Sequence, residues 1–536
     1  MKTRPKIIFA FAISLLILWI TGCNHPDRKA QTTAASRPEV IYHVMQRSFF
    51  DSNGDNIGDL NGLRMKLDYL QELGVTSILM LPLYESVYYH NYFASSFENI
   101  DPEFGTIQDY LALVREVHRR GMKIYMDMEM QYVTEDHPWY KESFGHPHSV
   151  YAHYIVYKDA ANRVPETMVF NLSELKSYDG TVKKIGVVNL NNDSVKAYTF
   201  RMFRYWMDPD RNGNFEDGVD GFRLDHMMDN LDGKGVLTNL FAGFWTPMIT
   251  RLREINPKIK FIAEQADWGS YGTDYIKKAG VDRVFAFRLR FAFTSFDKAK
   301  ITAETDSLYT YFQGDHLPVV FIENHDLPRF GSVVHHSILR LKTGAALNLL
   351  TGGVPSIYYG QELGMYGAGG FAKYGMTDAN DIPQREAFEW NKADIGPGMA
   401  FWYKNSGPWW DSTNVKPNDG ISLEEENSDP NSLLNFYKFL ISLRNDHPAL
   451  ADGQYEAMHN NNGKVYSFIR YNRERCTLVA LNLSDSNQTA VIDCSSGRLK
   501  PKKLMPLYSN SKTLPEKDKF TVEMEPFAID IWEEPN

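Results

Sequence analysis

The 536-residue sequence has little cysteine, no excess of positive charge and, after residue 20, no long hydrophobic run. Three cysteines are too few for a scaffold held together by disulfides. The formal net charge of −10 argues against nucleic acid as a partner, because binding to phosphates needs a basic surface. The chain is 43% hydrophobic and 23% charged, which is typical of a globular protein with a large core.

The N-terminus has the pattern of a targeting segment. Three basic residues precede the apolar run IIFAFAISLLILWI at 7–20, and ITGC, which resembles a bacterial lipobox, ends at Cys23. The run is shorter than the ~20 residues that a membrane-spanning helix needs. We therefore predict a signal peptide over 1–23, a lipid anchor on Cys23 and a flexible tether over 24–37. The mature protein is expected to be exported and anchored to a membrane, in the periplasm or at the cell surface.

The other two cysteines, Cys476 and Cys494, fall in neighbouring predicted strands. An oxidising compartment would permit a disulfide between them, and two buried thiols are an equal alternative. No histidine or further cysteine is spaced to complete a zinc site with them.

From residue 39 the chain alternates short apolar runs with amphipathic helices, such as those at 60–74 and 107–120. Eight of the runs are predicted strands, at 40–45, 76–82, 123–129, 218–225, 260–265, 282–287, 318–324 and 354–359. Such alternation builds a parallel sheet, and eight repeats suit a closed barrel. The predicted fold is therefore α/β, a (β/α)₈ TIM barrel.

Two stretches depart from this alternation. Residues 130–195 are rich in polar, aromatic and turn residues and predict a subdomain inserted after the third strand. After a helix at 431–446, short alternating strands predict a C-terminal antiparallel β-sandwich. The expected division is a catalytic barrel over 38–448 and a β domain over 449–536.

Charged residues at strand ends mark the place to look for chemistry, because barrel enzymes carry their catalytic groups there. Arg223 and Asp225 end the fourth strand, Glu264 lies on the fifth, Asp326 follows the seventh, and Asp127 lies on the third. Singly, each could be a helix cap or a structural ion pair. Together, two converging carboxylates suit retaining glycoside hydrolysis, in which one attacks the sugar and the other exchanges protons.

The two carboxylates need different charges for this reaction. A cation beside a carboxylate lowers its pKa, so we expect Arg223 to keep Asp225 ionised. We expect Glu264 to lie in less cationic surroundings and to stay protonated near neutral pH.

Three motifs resemble those of the alpha-amylase family of glycoside hydrolases, and the resemblance extends over about residues 39–535. GFRLD ending at Asp225 is similar to the nucleophile motif, FIAE ending at Glu264 to the acid/base strand, and FIENHD ending at Asp326 to the third motif. The resemblance implies Asp225 as nucleophile, Glu264 as general acid/base, and Asp326 as the third catalytic carboxylate, which grips sugar hydroxyls.

The same resemblance implies a set of substrate-binding residues. Arg223 lies beside the nucleophile, and His325 would assist Asp326. HNY ending at Tyr92 is similar to the family's substrate-platform loop, which brings in His90 and lets Tyr92 stack on the sugar at the cleavage site.

Four places depart from the family's pattern. Tyr132 stands where a histidine normally touches the sugar, and Phe93 stands where an aspartate follows the platform tyrosine. Met228-Asp229 replaces a Lys-His pair that is frequent in starch-cleaving members, and Asn189 replaces an acidic residue. We therefore expect Tyr132 to contact the substrate, with bond chemistry preserved and sugar or linkage preference shifted.

Calcium is the one cofactor that the sequence indicates, and no cofactor is expected for catalysis. The run DSNGDNIGD spaces oxygen ligands at alternate positions, as hard cations require, and resembles a calcium loop of α-glucosidase-like members. Its candidate ligands are Asp51, Asn53, Asp55, Ile57 and Asp59. A plain Asx-rich turn is the alternative. DPDRNGNFED at 208–217 has similar spacing, and there the two alternatives are equal.

The expected function is hydrolysis of α-glucosidic bonds in α-glucans or oligosaccharides, of the alpha-amylase or alpha-glucosidase kind. A transglycosylase or isomerase of the same family is one alternative, because it shares the glycosyl-enzyme intermediate. A non-catalytic glycan-binding lipoprotein is another, which the altered Tyr132 and Phe93 favour and the retained carboxylates oppose.

Overall fold

The computed structural model describes residues 37–534. The predicted signal peptide, Cys23 and all of the tether but residue 37 lie outside the described residues. Among residues 37–534, every helix is too short or too polar to span a lipid bilayer.

Eight parallel strands form the centre of the fold. They are β1 Ile41–Val44, β2 Ser77–Met80, β3 Lys123–Met128, β4 Gly221–Met227, β5 Lys260–Gln265, β6 Arg283–Val284, β7 Val319–Val320 and β8 Val354–Tyr358. The order of the strands in the sheet is β6-β5-β4-β3-β2-β1-β8-β7. A parallel bridge between Phe285 and Val319 joins the two edges. All eight predicted strands and the barrel are confirmed.

Helices follow the strands and pack on the barrel through apolar faces. The longer ones are Ile107–Arg119, Asp193–Met207, Thr246–Ile255, Phe287–Ser295, Lys298–Tyr311, Ile338–Leu350 and Leu433–Asp446. The shorter ones are Leu60–Met65, Leu67–Leu73, Pro138–Ser143, Phe330–Val333, Pro408–Asp411, Leu423–Glu426 and Pro448–Asp452. The predicted helix at 60–74 is two helices, because Lys66 leaves helical geometry at φ −100° and ψ 9°.

Small antiparallel sheets surround the barrel mouth and follow the barrel. Between β3 and β4, strands Tyr132–Thr134, Glu174–Lys176 and Val182–Val187 form one sheet, and Tyr84–Glu85 pairs with Ser96–Ile100 beside β2. The C-terminal part has a five-stranded and a three-stranded antiparallel sheet. Their strands are Gln454–Ala457, Val465–Tyr471, Cys476–Asn482, Gln488–Asp493, Met505–Tyr508, Lys512–Pro515, Lys519–Met524 and Ile529–Glu534. This arrangement confirms the predicted β-sandwich.

Cys476 and Cys494 are free and buried. Burial raises the pKa of Cys476 to about 12 and that of Cys494 to about 11. Of the two alternatives, the structure therefore has two neutral thiols.

Candidate active site

A cavity of about 760 Å³ opens at the C-terminal ends of the barrel strands. Asp225 on β4, Glu264 on β5 and Asp326, which follows β7, all line it. His90, Tyr92 and Tyr132 line it as well. The structure thus brings the three predicted carboxylates and three of the predicted substrate-binding residues to one cavity.

Arg223 lies among three carboxylates and is 1% exposed. Its Nη1 lies 2.7 Å from Asp127 Oδ2 and also donates to Asp225 Oδ1. Its Nη2 donates to Glu264 Oε2 at 2.7 Å. These contacts follow from the sheet, because Asp127 pairs with Arg223 in register and β5 is the next strand. One buried guanidinium therefore holds carboxylates from three neighbouring strands.

The charges of this cluster differ from the sequence expectation. Burial, with the nearby carboxylates, raises the pKa of Asp225 well above its usual range, although Arg223 opposes the rise. Burial would also raise the pKa of Glu264, but the charge of Arg223, together with the neighbouring Asp225 and His226, lowers that pKa below its usual value. The expected less cationic surroundings of Glu264 are wrong, because Arg223 contacts it directly. The raised pKa of Asp225 and the lowered pKa of Glu264 favour a proton on Asp225 in the free site.

Tyr92, His325 and Asp326 form a connected group beside this cluster. The Tyr92 hydroxyl donates to Asp127 Oδ2 at 2.7 Å and lies 2.6 Å from His325 Nε2. The two rings are stacked with centroids 5.5 Å apart. His325 Nε2 is 3.2 Å from Asp326 Oδ2. Burial lowers the pKa of His325 well below its usual value and raises the pKa of Asp326 to about 7.

His90 and Tyr132 line the cavity, and each has a polar atom that is hydrogen-bonded to the protein. His90 Nδ1 accepts a hydrogen bond from the Tyr92 amide at 3.1 Å, and its Nε2 lies 3.9 Å from Asp378. The Tyr132 hydroxyl donates to Asp232 Oδ1 at 2.5 Å. Burial raises the pKa of Tyr132, so this position presents a neutral phenol.

The other departures divide between the cavity and its surroundings. Phe93 and Met228 line the cavity. Asp229 accepts a hydrogen bond from the Phe241 amide at 2.7 Å, and Asn189 donates to the His153 carbonyl at 3.0 Å. Neither is among the cavity-lining residues. Of the positions that depart from the family's pattern, Phe93, Tyr132 and Met228 are therefore the ones that a ligand in the cavity can contact.

Sequence patterns do not predict one wall of the cavity. Asp378, Asp381 and Arg385 lie in and just after the 3-10 helix Asp378–Gln384, in the long segment after β8. Arg385 Nη2 lies 3.2 Å from Asp326 Oδ1. Among residues 37–534, neither carboxylate oxygen of the buried Asp378 has a hydrogen-bond partner, and burial raises the pKa of this group well above its usual value. No strand end marks these residues, so only the tertiary structure identifies them.

Aromatic side chains border the same cavity. Phe170, from the segment between β3 and β4, is 74% exposed, and Phe371, from the segment after β8, is 79% exposed. Their ring centroids are 6.3 Å apart, and both rings line the cavity. Deeper in the cavity, Trp268 Nε1 donates to Glu264 Oε1 at 3.3 Å. Apolar rings beside convergent polar groups are typical of a small-ligand site.

In the predicted calcium loop at 51–59, carboxylate oxygens accept hydrogen bonds from backbone amides of the loop itself. The Asp51 carboxylate accepts hydrogen bonds at 2.7–3.1 Å from the backbone amides of Asn53, Gly54 and Asn56. Asp55 accepts from the Ile57 amide at 2.8 Å, and Asp59 caps helix Leu60–Met65. The donor set of carboxylate, amide and backbone oxygens fits a hard cation in its chemistry. Across residues 37–534, however, these carboxylates do not converge as a tight group.

Comparisons with known proteins agree with this geometry. Residues 43–453 match the family described as "Alpha amylase, catalytic domain". Alpha-amylase 3 of Dictyoglomus thermophilum is 27% identical over 508 residues, which are 91% of each chain. Probable oligo-1,6-glucosidase 3 of Bacillus subtilis is 28% identical, over 92% of this chain and 98% of that protein.

Solved structures show the same fold. The crystal structure of alpha-amylase from H. orenii superposes with a TM-score of 0.76 at 24% identity, covering 94% of this chain and 100% of that one. The family match extends from within β1 to the end of the segment after helix Leu433–Asp446. The chain therefore belongs to the alpha-amylase family of glycoside hydrolases.

Proposed function

We propose that this chain is a retaining hydrolase of α-glucosidic bonds in α-glucans or oligosaccharides, with Asp225 as nucleophile and Glu264 as general acid/base. The observation that carries the proposal is the placement of both carboxyl groups on the single buried guanidinium of Arg223. Retaining enzymes keep their two carboxyl groups about 5–5.5 Å apart, whereas inverting enzymes separate them further to admit water. Two carboxyl groups that accept from the two terminal nitrogens of one guanidinium favour the closer spacing.

The reaction proceeds in two displacements. Asp225 attacks the anomeric carbon while Glu264 gives its proton to the leaving glycosidic oxygen, which leaves a covalent glycosyl-enzyme. Glu264 then takes a proton from water, and that water attacks the same carbon and releases Asp225. A sugar enters between the two carboxyl groups. The proton that the two pKa shifts favour on Asp225 in the free site passes to Glu264 before the first displacement, and Arg223 then stabilises the ionised Asp225.

The remaining polar groups of the cavity orient the sugar. Asp326, as the third carboxylate, accepts hydrogen bonds from ring hydroxyls, and Arg385 and His325 hold it in place. Tyr92 offers its ring face, and His90 offers Nε2 beside Asp378. Tyr132 presents a phenol that is bonded to Asp232, so its contacts with a sugar differ from those of an imidazole. This difference is the basis of the proposed shift in sugar or linkage preference.

The test is digestion of starch, pullulan, dextran and short maltooligosaccharides, with sizing of products and analysis of the first-formed anomer. We expect hydrolysis with retained α configuration, and loss of turnover in Asp225→Asn with the fold intact. A first product of β configuration would contradict the nucleophile assignment. Longer or isomerised products would identify the transglycosylase or isomerase alternative, and binding without turnover would identify the glycan-binding alternative.

Calcium at 51–59 is proposed as a structural cofactor, with Asp51, Asn53, Asp55, Asp59 and the Ile57 carbonyl as ligands. The alternate spacing of oxygen donors supports it. It would hold the loop between β1 and helix Leu60–Met65, and no catalytic step needs it. Chelation should lower the thermal midpoint of the wild-type protein, and this effect should be smaller in Asp51→Asn.

Export and membrane anchoring are proposed from the sequence of the N-terminal segment. Cleavage before Cys23 and lipidation of its thiol would place the barrel outside the cytoplasm, on a tether over 24–37. The proposed domain division is a catalytic part over 38–448, with an inserted part at about 130–195, and a β domain over 449–536. Mass spectrometry of the membrane fraction, with Cys23→Ser as the comparison, tests the anchor.

A further inference from the structure

The loop at 208–217 gathers three carboxylates far along the chain from the proposed calcium loop. It joins helix Asp193–Met207 to β4, and none of its residues lines the active-site cavity. Asp208, Asp210 and Asp217 each place a carboxylate oxygen within 4.8 Å of the others. Among residues 37–534 this is the one such group of His, Cys, Asp and Glu side chains. Asp208 and Asp217 are almost completely buried.

The Asp217 carboxylate faces this group with an unsatisfied oxygen. Its Oδ2 accepts a hydrogen bond from the Asp210 amide at 3.3 Å, which turns the carboxylate toward the other two. Its Oδ1 is buried and has no hydrogen-bond partner in the described part of the chain. A buried charged oxygen without a partner is costly unless a ligand compensates it.

The surrounding protein compensates the two buried carboxylates only weakly, whereas the exposed Asp210 carboxylate accepts from the amide and the side chain of Asn212 at 3.0 and 2.7 Å. The two oxygens of Asp208 share one long contact to the Gly213 amide, at 3.4 and 3.2 Å. His118 packs against the loop, but its ring nitrogens are bonded to the Glu216 carbonyl and to Asp220. Three carboxylates this close repel one another, and two of them lack the screening of bulk water.

We propose that the loop at 208–217 binds one Ca²⁺ through the carboxylates of Asp208, Asp210 and Asp217. A hard divalent cation takes oxygen ligands only, and the loop offers these three carboxylates together with backbone and asparagine oxygens. Calcium suits the site better than magnesium because it accepts six to eight oxygens in irregular geometry, whereas magnesium demands an octahedron.

The cation would fasten the end of helix Asp193–Met207 to the start of β4. Asp208 directly follows that helix, and the Val219 amide bonds to the Trp206 carbonyl at 3.1 Å just before the strand. Since β4 carries Arg223 and Asp225, the ion would act on stability and on the placement of the strand. The site does not depend on the proposed hydrolase activity.

The test is calorimetric titration of the full-length chain, stripped with a chelator, using Ca²⁺ alone. Asp217→Asn removes the buried charge, and Asp210→Asn changes an exposed residue that should not affect folding. Asp193→Asn is the matched control, because it removes an exposed carboxylate at the start of the same helix. Asp51→Asn measures Ca²⁺ binding by the proposed calcium loop at 51–59. Each titration is paired with the thermal midpoint with and without Ca²⁺.

We expect both cluster variants to lose one bound Ca²⁺ or to bind it at least tenfold more weakly, with a smaller calcium-dependent rise in the thermal midpoint. Asp193→Asn should match the wild type, and the loss in Asp51→Asn plus Asp217→Asn should be the sum of the single losses. Unchanged titrations in Asp210→Asn and Asp217→Asn would overturn the proposal, as would a wild-type chain that binds no Ca²⁺. Tighter binding of Mg²⁺ would overturn the assignment to calcium.

Discussion

Arg223 donates a hydrogen bond to Glu264, with 2.7 Å between Nη2 and Oε2. The guanidinium beside the proposed nucleophile therefore also holds the proposed acid/base, and through Nη1 it holds Asp127. The single positive charge of Arg223 contacts three buried carboxylates. Because it cannot balance three negative charges, the free site retains a proton. The charge of Arg223 acts to lower the pKa of both proposed catalytic groups, against the effect of their burial.

Arg223→Lys should reduce kcat by at least about 100-fold and lower the thermal midpoint. A single ammonium cannot hold carboxylates on both sides as the planar guanidinium does, and it would leave buried negative charge uncompensated. Steady-state kinetics on an aryl α-glucoside and a thermal melt measure both effects. Activity within threefold of the wild type would show that the two-sided contact is unimportant.

Asp378→Asn should raise KM about tenfold and change kcat less. Both carboxylate oxygens of Asp378 are buried and have no partner in the part of the chain that the structure describes. Asp378 lines the cavity, so we expect a sugar hydroxyl to supply the donor. An amide keeps only one acceptor oxygen in place of two, so one of the hydrogen bonds to the sugar is lost. The exposed Asp411→Asn is the control. An unchanged KM for every oligosaccharide tested would remove Asp378 from the binding site.

Phe371→Ala and Phe170→Ala should each raise KM about threefold to tenfold for oligosaccharides of three or more sugars. Their rings stand at the rim of the cavity and can lie only against sugars beyond the cleaved bond. KM for a single-sugar aryl α-glucoside should be unchanged. Phe291→Ala removes an exposed ring that is not among the cavity-lining residues, and it should behave as the wild type. Equal effects on short and long substrates would contradict the rim as a binding surface.

The free energy of unfolding should fall as pH rises from about 4.5 to about 7, partly through Glu362. Burial raises the pKa of Glu362 to about 7, although Tyr42 and Tyr69 donate to its Oε1 at 2.7 and 2.6 Å. The folded chain holds a proton that the unfolded chain has lost in this window, so stability is lost as pH rises through it.

Urea denaturation at several pH values tests this prediction. Each unit between the two pKa values is worth about 1.4 kcal/mol, and Glu362→Gln should fall less steeply than the wild type. The exposed Glu72→Gln should keep the wild-type slope. Equal slopes in Glu362→Gln and the wild type would contradict the raised pKa.

The barrel and the three proposed catalytic carboxylates, which line one cavity, can be predicted from the sequence because their signals are local. Each strand is an apolar run, and Asp225, Glu264 and Asp326 lie at or just after the ends of such runs. The wall formed by Asp378 and Arg385 cannot be predicted this way, since a long segment after β8 carries it back to the cavity. Those positions depend on tertiary packing.

The electrostatic contacts of Arg223 also depend on tertiary structure that the sequence pattern does not reveal. The sequence places Arg223 two residues before Asp225, and this spacing predicts contact with Asp225 alone. The contact with Glu264 depends on how β4 and β5 lie side by side in the barrel. Phe170 and Phe371 lie about 200 residues apart in the chain, and only the fold brings their rings together.

The most direct test of the account is to trap the glycosyl-enzyme with 5-fluoro-α-D-glucosyl fluoride and to locate the label by mass spectrometry. Fluoride is a leaving group that needs no acid, so the label should appear on Asp225 in the wild type and in Glu264→Gln, and be absent in Asp225→Asn. A label on another residue, or an unlabelled enzyme that releases product of inverted configuration, would contradict the central claim.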